Sequence, residues 1–239
     1  MSDAEPAVAA QRVHIDEDPA APPTPFRKGL YWLASVLLVG AARLWFRVRV
    51  EGREHLPVDE PFILAPVHRS NLDFGLVVSC VGVGLPRMRY LAKDTLWKGA
   101  WGRLWTALGA IPVHRGTPDR EALKSLIAVL RAGESVVIFP EGTRQSGPEV
   151  QELFDGPAYV QARTGAPIVP VGIGGSEAAM PKGAKFIRPR RIVLTIGAPL
   201  TAPEKNANGR VPRRAVREQT VALHGVLQGL FDAAQQSAG

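Results

Sequence analysis

The sequence predicts an α/β sandwich: a single domain with a central, largely parallel sheet flanked by helices, plus an N-terminal amphipathic membrane-docking helix. Short apolar runs of strand length alternate with longer helical patterns along the chain. This alternation is typical of a parallel sheet whose strands are joined by crossover helices. The chain has 239 residues, of which 46% are hydrophobic and 21% charged. One domain with a substantial core is therefore expected.

The first 25 residues differ in composition from everything that follows. They are rich in Ala and Pro with scattered acids, and they have little apolar surface to bury, which predicts a mobile tail over residues 1–25. Acidic and small residues at the start give no indication of a secretory signal. After this tail we expect a membrane-interface helix over residues 26–46 and the main folded domain over residues 47–235.

The interface helix is predicted from a short apolar run with unusual flanks. The run from Gly29 to Gly40 is strongly apolar, but Arg43 interrupts it before the ~20 apolar residues that a membrane-spanning helix needs. Aromatic residues lie on both sides, with Arg27 and Lys28 leading in. This arrangement is typical of a helix that lies in the membrane interface. A packing helix buried within the domain is the alternative.

Charge and cysteine content narrow the expected partners. The formal net charge of +7 suits an anionic partner, such as a membrane surface, nucleic acid or a phosphorylated substrate. Because no nucleic-acid-binding module is recognisable, we expect no nucleic-acid partner. Cys80 is the only cysteine, which excludes intrachain disulfides and favours a reducing compartment. The chain is therefore expected to be peripheral on the cytoplasmic face of the cell membrane. No Cys/His cluster indicates a metal site.

The order of elements follows from the apolar runs and their punctuation. Thr117 and Pro118 predict the start of one helix and Gly133 its end. Strands are expected at 45–50, 61–65, 88–92, 109–116, 135–139, 167–173 and 191–196, of which 135–139 has the strongest strand pattern. Helices are expected at 74–83, 97–108, 117–133 and 157–163, with a last one starting near residue 212.

The segment between the second strand and its helix holds the first chemical candidates. His68 is placed at a strand end and Asp73 in the first turn of the next helix. A carboxylate bonded to one ring nitrogen fixes the tautomer and leaves the other nitrogen free to accept a proton. The sequence contains no Gly-x-Ser-x-Gly motif, so an attacking hydroxyl would belong to a substrate. The alternative is a capping box, with Ser70 as N-cap and Asp73 three residues later.

Other polar residues also follow predicted strands. Lys93, Arg115 and the segment Glu141 to Arg144 each come directly after a strand, as His68 does. Ligands of open α/β sheets bind beyond the carboxyl ends of the strands, so we expect these residues to share one cleft. Two arginines there would bind a phosphate through paired donors. Each arginine taken singly is better explained as a solvated surface charge.

Four segments in order resemble the motifs of the glycerolipid acyltransferases, the family that contains 1-acylglycerol-3-phosphate acyltransferase. The first is the His-x-x-x-x-Asp box from His68 to Asp73. Residues 109–115 resemble the second motif, Phe139 to Arg144 the third and residues 166–171 the fourth. The resemblance implies an acyltransferase domain that moves a fatty acyl group from acyl-CoA or acyl carrier protein to a glycerol hydroxyl.

The resemblance also implies roles for individual residues. His68 is expected to be the general base and Asp73 to orient it. The residues expected to bind the acceptor's phosphate are Arg115, Glu141, Gly142, Thr143 and Arg144. Ser70 and Lys93 are expected to support the site. No cofactor beyond the acyl donor is implied, and no metal.

The identity of the acceptor follows less directly from the motifs. Val67 stands where lysophosphatidate acyltransferases commonly have Asn, and His68 to Ser70 also resembles the start of the glycerol-3-phosphate acyltransferase box. The third and fourth motifs favour a lysophospholipid, above all 1-acylglycerol-3-phosphate, in phospholipid biosynthesis. The alternatives are the first acylation of glycerol-3-phosphate, acylation of another glycolipid, and a basic membrane-surface binding protein without enzymatic activity.

Overall fold

The computed structural model describes residues 24–82, 88–97, 102, 105–106, 108–113 and 120–239. The predicted tail therefore lies outside the described residues up to residue 23. The same holds for Arg115, for the cap at Thr117 and Pro118, and for most of the helix expected at 97–108.

A seven-stranded sheet forms the centre of the described structure. Its strands are β1 (Arg49–Glu51), β2 (Ile63–Pro66), β3 (Arg89–Lys93), β4 (Ala110–Val113), β5 (Val136–Val137), β6 (Ile168–Gly174) and β7 (Val193–Ile196). The strand order is β1-β7-β6-β2-β5-β3-β4. The five strands from β6 to β4 are parallel to one another, β7 is antiparallel to β6, and β1 is parallel to β7. The predicted α/β class and largely parallel sheet are confirmed.

Helices cover both faces of this sheet. They are α1 (Pro25–Phe46), α2 (Asp73–Gly82), α3 (Arg120–Arg131), α4 (Gly156–Thr164), α5 (Ser176–Ala179) and α6 (Arg213–Ala238). The α2 crossover runs from β2 towards β3, whereas the α3 and α4 crossovers run in the opposite direction along the sheet. Because such crossovers are right-handed, α2 lies on one face and α3 and α4 lie on the other. Helix α1 packs on α2, and α6 packs on α4, β6 and β7.

Two strands differ from the sequence prediction. The strand expected at 45–50 starts only at Arg49, because α1 continues to Phe46, whose side chain is buried in the core. Arg47 then takes a left-handed conformation with φ of 47°, which ends the helix. The strand expected at 135–139 pairs only at Val136 and Val137. The Ile138 N–H still donates to the Leu64 carbonyl at 2.9 Å, and the chain then leaves the ladder towards Pro140, which has no N–H to donate.

Close packing of α6 on β6 brings a helix side chain under the first motif. A Cβ atom at Gly172 or Gly174 would overlap the α6 backbone at Leu230 and Ala234, so these two glycines allow the close approach. The approach buries Phe231 completely. Its ring lies 4.8 Å from the guanidinium carbon of Arg69, the residue that follows His68.

Candidate active site

His68 and Asp73 form a hydrogen-bonded pair at the carboxyl end of β2. The strand places His68 just beyond its last residue, and Asp73 begins α2. The Nδ1 atom of His68 lies 3.1 Å from Oδ2 of Asp73. The Asp73 side chain is fully buried, whereas the His68 side chain is 15% exposed. Within the described part of the chain Nε2 of His68 has no hydrogen-bond partner, so it is available to a proton donor from outside.

The same carboxylate oxygen also holds the turn between the two residues. Oδ2 of Asp73 accepts hydrogen bonds from the backbone N–H groups of Arg69 (2.5 Å) and Ser70 (2.6 Å). The hydroxyl of Ser70 accepts a bond from the Leu72 N–H at 3.2 Å, so the first turn of the helix is capped by both side chains. The pair and the capping box are therefore not alternatives, because Asp73 takes part in both.

Ser70 is directed away from His68. Its hydroxyl donates to the carbonyl oxygen of Met180 at 2.8 Å, and the residue is fully buried. Ser70 is therefore a support of the motif's conformation rather than a nucleophile. Among the described residues no serine or cysteine side chain is hydrogen-bonded to His68, which agrees with the absence of a hydrolase motif.

The third motif is tied to the first by a buried ion pair. Oε1 of Glu141 accepts from the Arg69 guanidinium at 2.9 Å, and both side chains are fully buried. Oε2 of Glu141 accepts from the backbone N–H of His68 at 2.8 Å. A second arm of Arg69 donates to the Glu149 carbonyl at 2.9 Å. Because the Glu141 carboxylate points inward, a direct contact with a substrate phosphate does not fit this geometry; Glu141 positions His68 instead.

The remainder of the third motif lies over the histidine. The Phe139 ring contacts the His68 ring with 4.2 Å between centroids, and the Gln145 N–H donates to the His68 carbonyl at 2.8 Å. Gly142 has φ of 67°, and a Cβ atom there would meet the Phe154 ring at 2.8 Å. The loop conformation thus requires glycine at this position.

The other predicted residues are positioned differently. Thr143 is exposed on the same loop and Arg144 is half-buried. No hydrogen bond or ion pair engages the Arg144 guanidinium among the described residues, so it is available to an anion. Lys93 is exposed at the end of β3, and β5 separates that strand from β2. Arg115 lies outside the described residues.

Sequence reasoning gave Arg69 no role of its own. An arginine next to a histidine at a strand end is normally read as a solvated charge, and its burial becomes evident only when Glu141 and Phe231 are placed around it. The described residues contain no group of three or more metal-ligating side chains.

An apolar cavity of about 470 Å³ opens beside the first turn of α2. The cavity is lined by Leu72, Gly75 and Leu76, by residues of the last two turns of α1, and by Ile187. Because Leu72 lies within the motif from His68 to Asp73, the cavity borders that motif. Its lining suits a hydrocarbon chain.

The chain is similar to known acyltransferases in both sequence and fold. The family described as Acyltransferase matches residues 47–174. A 1-acyl-sn-glycerol-3-phosphate acyltransferase of Bacillus subtilis (strain 168) is 35% identical over 156 residues, which cover 64% of this chain and 73% of that protein. The chloroplastic 1-acyl-sn-glycerol-3-phosphate acyltransferase LPAT1 of Arabidopsis thaliana is 28% identical over 158 residues, or 61% and 43% of the two chains.

A solved structure gives the same result for the fold. The crystal structure of the 1-acyl-sn-glycerophosphate (LPA) acyltransferase PlsC from Thermotoga maritima superposes with a TM-score of 0.69 at 25% identity. The match covers 87% of this chain and 80% of that one. The sequence match spans more than half of the chain and includes His68, Asp73 and the third motif, so this protein belongs to the acyltransferase family.

Proposed function

We propose that this protein transfers a fatty acyl group from an acyl thioester to the free hydroxyl of a lysophospholipid, with 1-acylglycerol-3-phosphate as the acceptor, in phospholipid biosynthesis. The observation that carries the proposal is the His68–Asp73 pair with its accessible Nε2 atom. The similarity to proteins named for that reaction in Bacillus subtilis and Thermotoga maritima supports the choice of acceptor.

The proposed chemistry needs one proton carrier. Nε2 of His68 removes the proton from the acceptor hydroxyl as the oxygen attacks the thioester carbonyl. The Asp73 carboxylate, bonded to Nδ1, stabilises the imidazolium that forms. When the tetrahedral intermediate collapses, the C–S bond breaks and the imidazolium gives its proton to the leaving thiolate. An ester and a free thiol result, and His68 is again neutral.

Two arginines are proposed to hold the acceptor's phosphate. Arg144 is half-buried on the loop that covers His68 and has no anionic partner among the described residues. Arg115 and the exposed Thr143 complete the proposed set, while Glu141 fixes the loop from below through Arg69. A guanidinium offers two parallel donors to a phosphate, which fixes the acceptor's orientation as well as its position. Lys93 is proposed to add positive charge at the rim.

The acceptor is a lipid, and α1 is proposed to bring the protein to it. Phe26, Trp32, Leu33, Leu37 and Leu44 are exposed large apolar residues on this helix. Of the helices that the structure describes, Lys28–Phe46 is the one long and apolar enough to cross a membrane by length and composition, and only 13% of that window is buried. This exposure argues against a core packing helix. We propose that α1 lies in the interface on the cytoplasmic face.

The test is an acyl-transfer assay on purified protein. Labelled acyl-CoA and acylated carrier protein are each incubated with 1-acylglycerol-3-phosphate, glycerol-3-phosphate and other lysophospholipids. We expect a labelled diacyl product with 1-acylglycerol-3-phosphate, and the donor that supports it identifies the thioester. Product only with glycerol-3-phosphate would replace the acceptor by the first-acylation substrate. Lack of product with every pair would favour a non-enzymatic membrane-binding protein.

A further inference from the structure

The loop between α5 and β7 has an unusual surface. Residues 181–191, here called the basic loop, contain five cationic side chains and no carboxylate. Phe186 at its centre is 81% exposed and Ile187 is 46% exposed. The cationic residues are Lys182, Lys185, Arg188, Arg190 and Arg191. Large apolar side chains surrounded by cations are typical of segments that enter an anionic bilayer surface.

The cations of the basic loop are not used within the described structure. None of the five side chains forms a hydrogen bond or ion pair with any described residue. The backbone nevertheless holds a defined course, since the Arg188 N–H donates to the Ala179 carbonyl at 2.9 Å and the Ala184 N–H to the Pro181 carbonyl at 3.0 Å. The loop therefore has a defined backbone conformation and presents positive charges, unpaired within the described structure, around an apolar tip.

The basic loop is joined to the C-terminal end of α1. The Ile192 N–H donates to the Phe46 carbonyl at 3.1 Å, and the Arg49 N–H donates to the Ile192 carbonyl at 3.0 Å. Ile187 lines the apolar cavity together with Leu44 and Trp45, which are themselves exposed. The apolar surface of α1 therefore continues onto the loop, and the arginines at the end of α1 add to its charge.

The other end of the loop reaches the first motif. Met180, which immediately precedes the loop, accepts the Ser70 hydroxyl hydrogen bond at 2.8 Å. Oδ2 of Asp73 in turn accepts the Ser70 N–H at 2.6 Å. Ser70 thus connects the start of the loop, through its hydroxyl, to the carboxylate that holds His68, through its backbone N–H.

We propose that the basic loop is a second membrane-contacting element that inserts Phe186 into an anionic bilayer. The inference rests on the proposed docking of α1. A single helix in the interface leaves the domain free to rotate about the helix axis, whereas two contacts fix its orientation. Because the loop starts beside Ser70, the fixed orientation holds the apolar cavity, which borders the first motif, against the membrane, where a lipid acceptor can enter.

Charge on the other sheet face provides a matched control. A cleft between α3, α4 and the start of α6 is lined by several cations, including Lys205 and Arg210. That cleft lies on the opposite face of the sheet from α1 and α2, so it points away from a bilayer on which α1 lies. Neutralising the same number of charges there separates local contact from the effect of net charge.

The experiment measures binding of the full chain to vesicles of 70% phosphatidylcholine and 30% phosphatidylglycerol by co-sedimentation. Lys182→Gln/Lys185→Gln should weaken binding by about 30-fold, since a cation at an anionic surface contributes about fivefold. Phe186→Ser should weaken it by about tenfold, a fraction of the effect of burying a whole aromatic side chain. Lys205→Gln/Arg210→Gln should have little effect. Thermal melting checks that all variants are folded, which is expected because the substituted side chains are exposed.

A second measurement reports insertion directly. Phe186→Cys in a Cys80→Ser background carries an environment-sensitive fluorophore, whose emission should shift to the blue on anionic vesicles and not on pure phosphatidylcholine. An unshifted emission, or equal losses of binding in the loop and cleft variants, would overturn the proposal. Vesicle binding is measured without turnover. If the loop variants bind vesicles as well as the wild type, and the wild type transfers acyl groups, only the loop proposal is refuted. If binding depends on the loop but the wild type transfers no acyl group, only the proposed function is refuted.

Discussion

Arg69 and Glu141 form a fully buried ion pair, with 2.9 Å between the guanidinium and the carboxylate, that joins the first motif to the third. The pair has little electrostatic screening, and Glu141 also holds the His68 backbone N–H. Arg69 is further supported by the Phe231 ring and by the Glu149 carbonyl. The catalytic histidine proposed here is thus positioned from behind by residues that need not touch substrate.

Removing one member of this pair should destabilise the fold. Glu141→Ala leaves the Arg69 charge buried without a partner, and we expect the free energy of unfolding to fall by about 3–5 kcal/mol in urea denaturation. Glu141→Gln keeps an acceptor for the His68 N–H and should cost less. The control is Glu218→Ala, which breaks the exposed pair with Arg214. Equal changes for Glu141→Ala and the control would show that the buried pair adds nothing to stability.

His68→Ala should abolish most of the acyl transfer while leaving the fold intact. A general base contributes typically 10²–10⁴-fold in rate. The His68 ring is 15% exposed, and its ring contact is with Phe139, so the packing lost is mainly this one contact. Turnover and thermal unfolding are measured on the same preparation. Asn71→Ala, an exposed change inside the same motif, is the control and should keep normal turnover. Folded His68→Ala protein with near-normal turnover would eliminate the catalytic assignment.

Asp73→Asn should lower both activity and stability, because one carboxylate oxygen serves His68 and the helix start. The amide cannot stabilise an imidazolium as the carboxylate does, so turnover should fall well below wild type. Loss of the charged cap should also cost about 1 kcal/mol of unfolding free energy. An Asp73→Asn protein that loses stability but keeps turnover would show that Asp73 acts only as a helix cap.

The sequence was sufficient for the fold class and for the placement of His68 and Asp73. Apolar runs with turn residues between them locate most strands and helices, because a buried strand is recognisable from a short stretch of consecutive apolar residues. Placing His68 at a strand end and Asp73 in the first helical turn already brings the two side chains within reach. The sequence pattern suggested either a His68–Asp73 pair or a capping box. In the structure both exist, because Asp73 takes part in each.

The partners of Arg69 were beyond sequence reasoning for a physical reason. Whether an arginine is solvated or buried depends on residues distant in the chain. Here the β2–β5 pairing brings Glu141 to Arg69, and the β2–β6 pairing with the packing of α6 brings Phe231. Phe46 is a similar case: its burial at the end of α1 extends the helix through residues whose alternating pattern predicted a strand. A local sequence pattern does not predict the secondary structure where a tertiary contact contributes more free energy than the local preference.

Arg144→Lys should raise the KM for the phosphate-bearing acceptor by about tenfold and leave the KM for the acyl donor nearly unchanged. Lysine keeps the charge but loses the second parallel donor of the guanidinium. Arg115→Lys should behave in the same way if it belongs to the same set. Arg210→Lys, on the opposite face of the sheet, is the control. Equal rises in both KM values, or no rise, would show that Arg144 does not select the acceptor.

Replacing exposed apolar side chains of α1 should release the protein from vesicles without unfolding it. Trp32→Ser, Leu33→Ser and Leu37→Ser together remove three side chains that contribute little to the core, whereas Ala42 and Phe46, which are buried, stay in place. We expect vesicle binding to fall by at least a hundredfold. Turnover on long-chain acceptors dispersed in vesicles should fall far more than turnover on soluble short-chain acceptors.

The control for this variant is Val221→Ser/Val226→Ser, which changes exposed apolar residues of α6 on the other sheet face. It should bind vesicles as wild type does, because those residues lie away from the proposed membrane surface. Two results would contradict interfacial docking by α1. Unfolding of the triple variant would make these side chains part of the core. Protease cleavage within residues 1–23 from the side of the bilayer opposite the catalytic domain would make α1 a membrane-spanning helix, since an interfacial helix leaves both of its ends on one side.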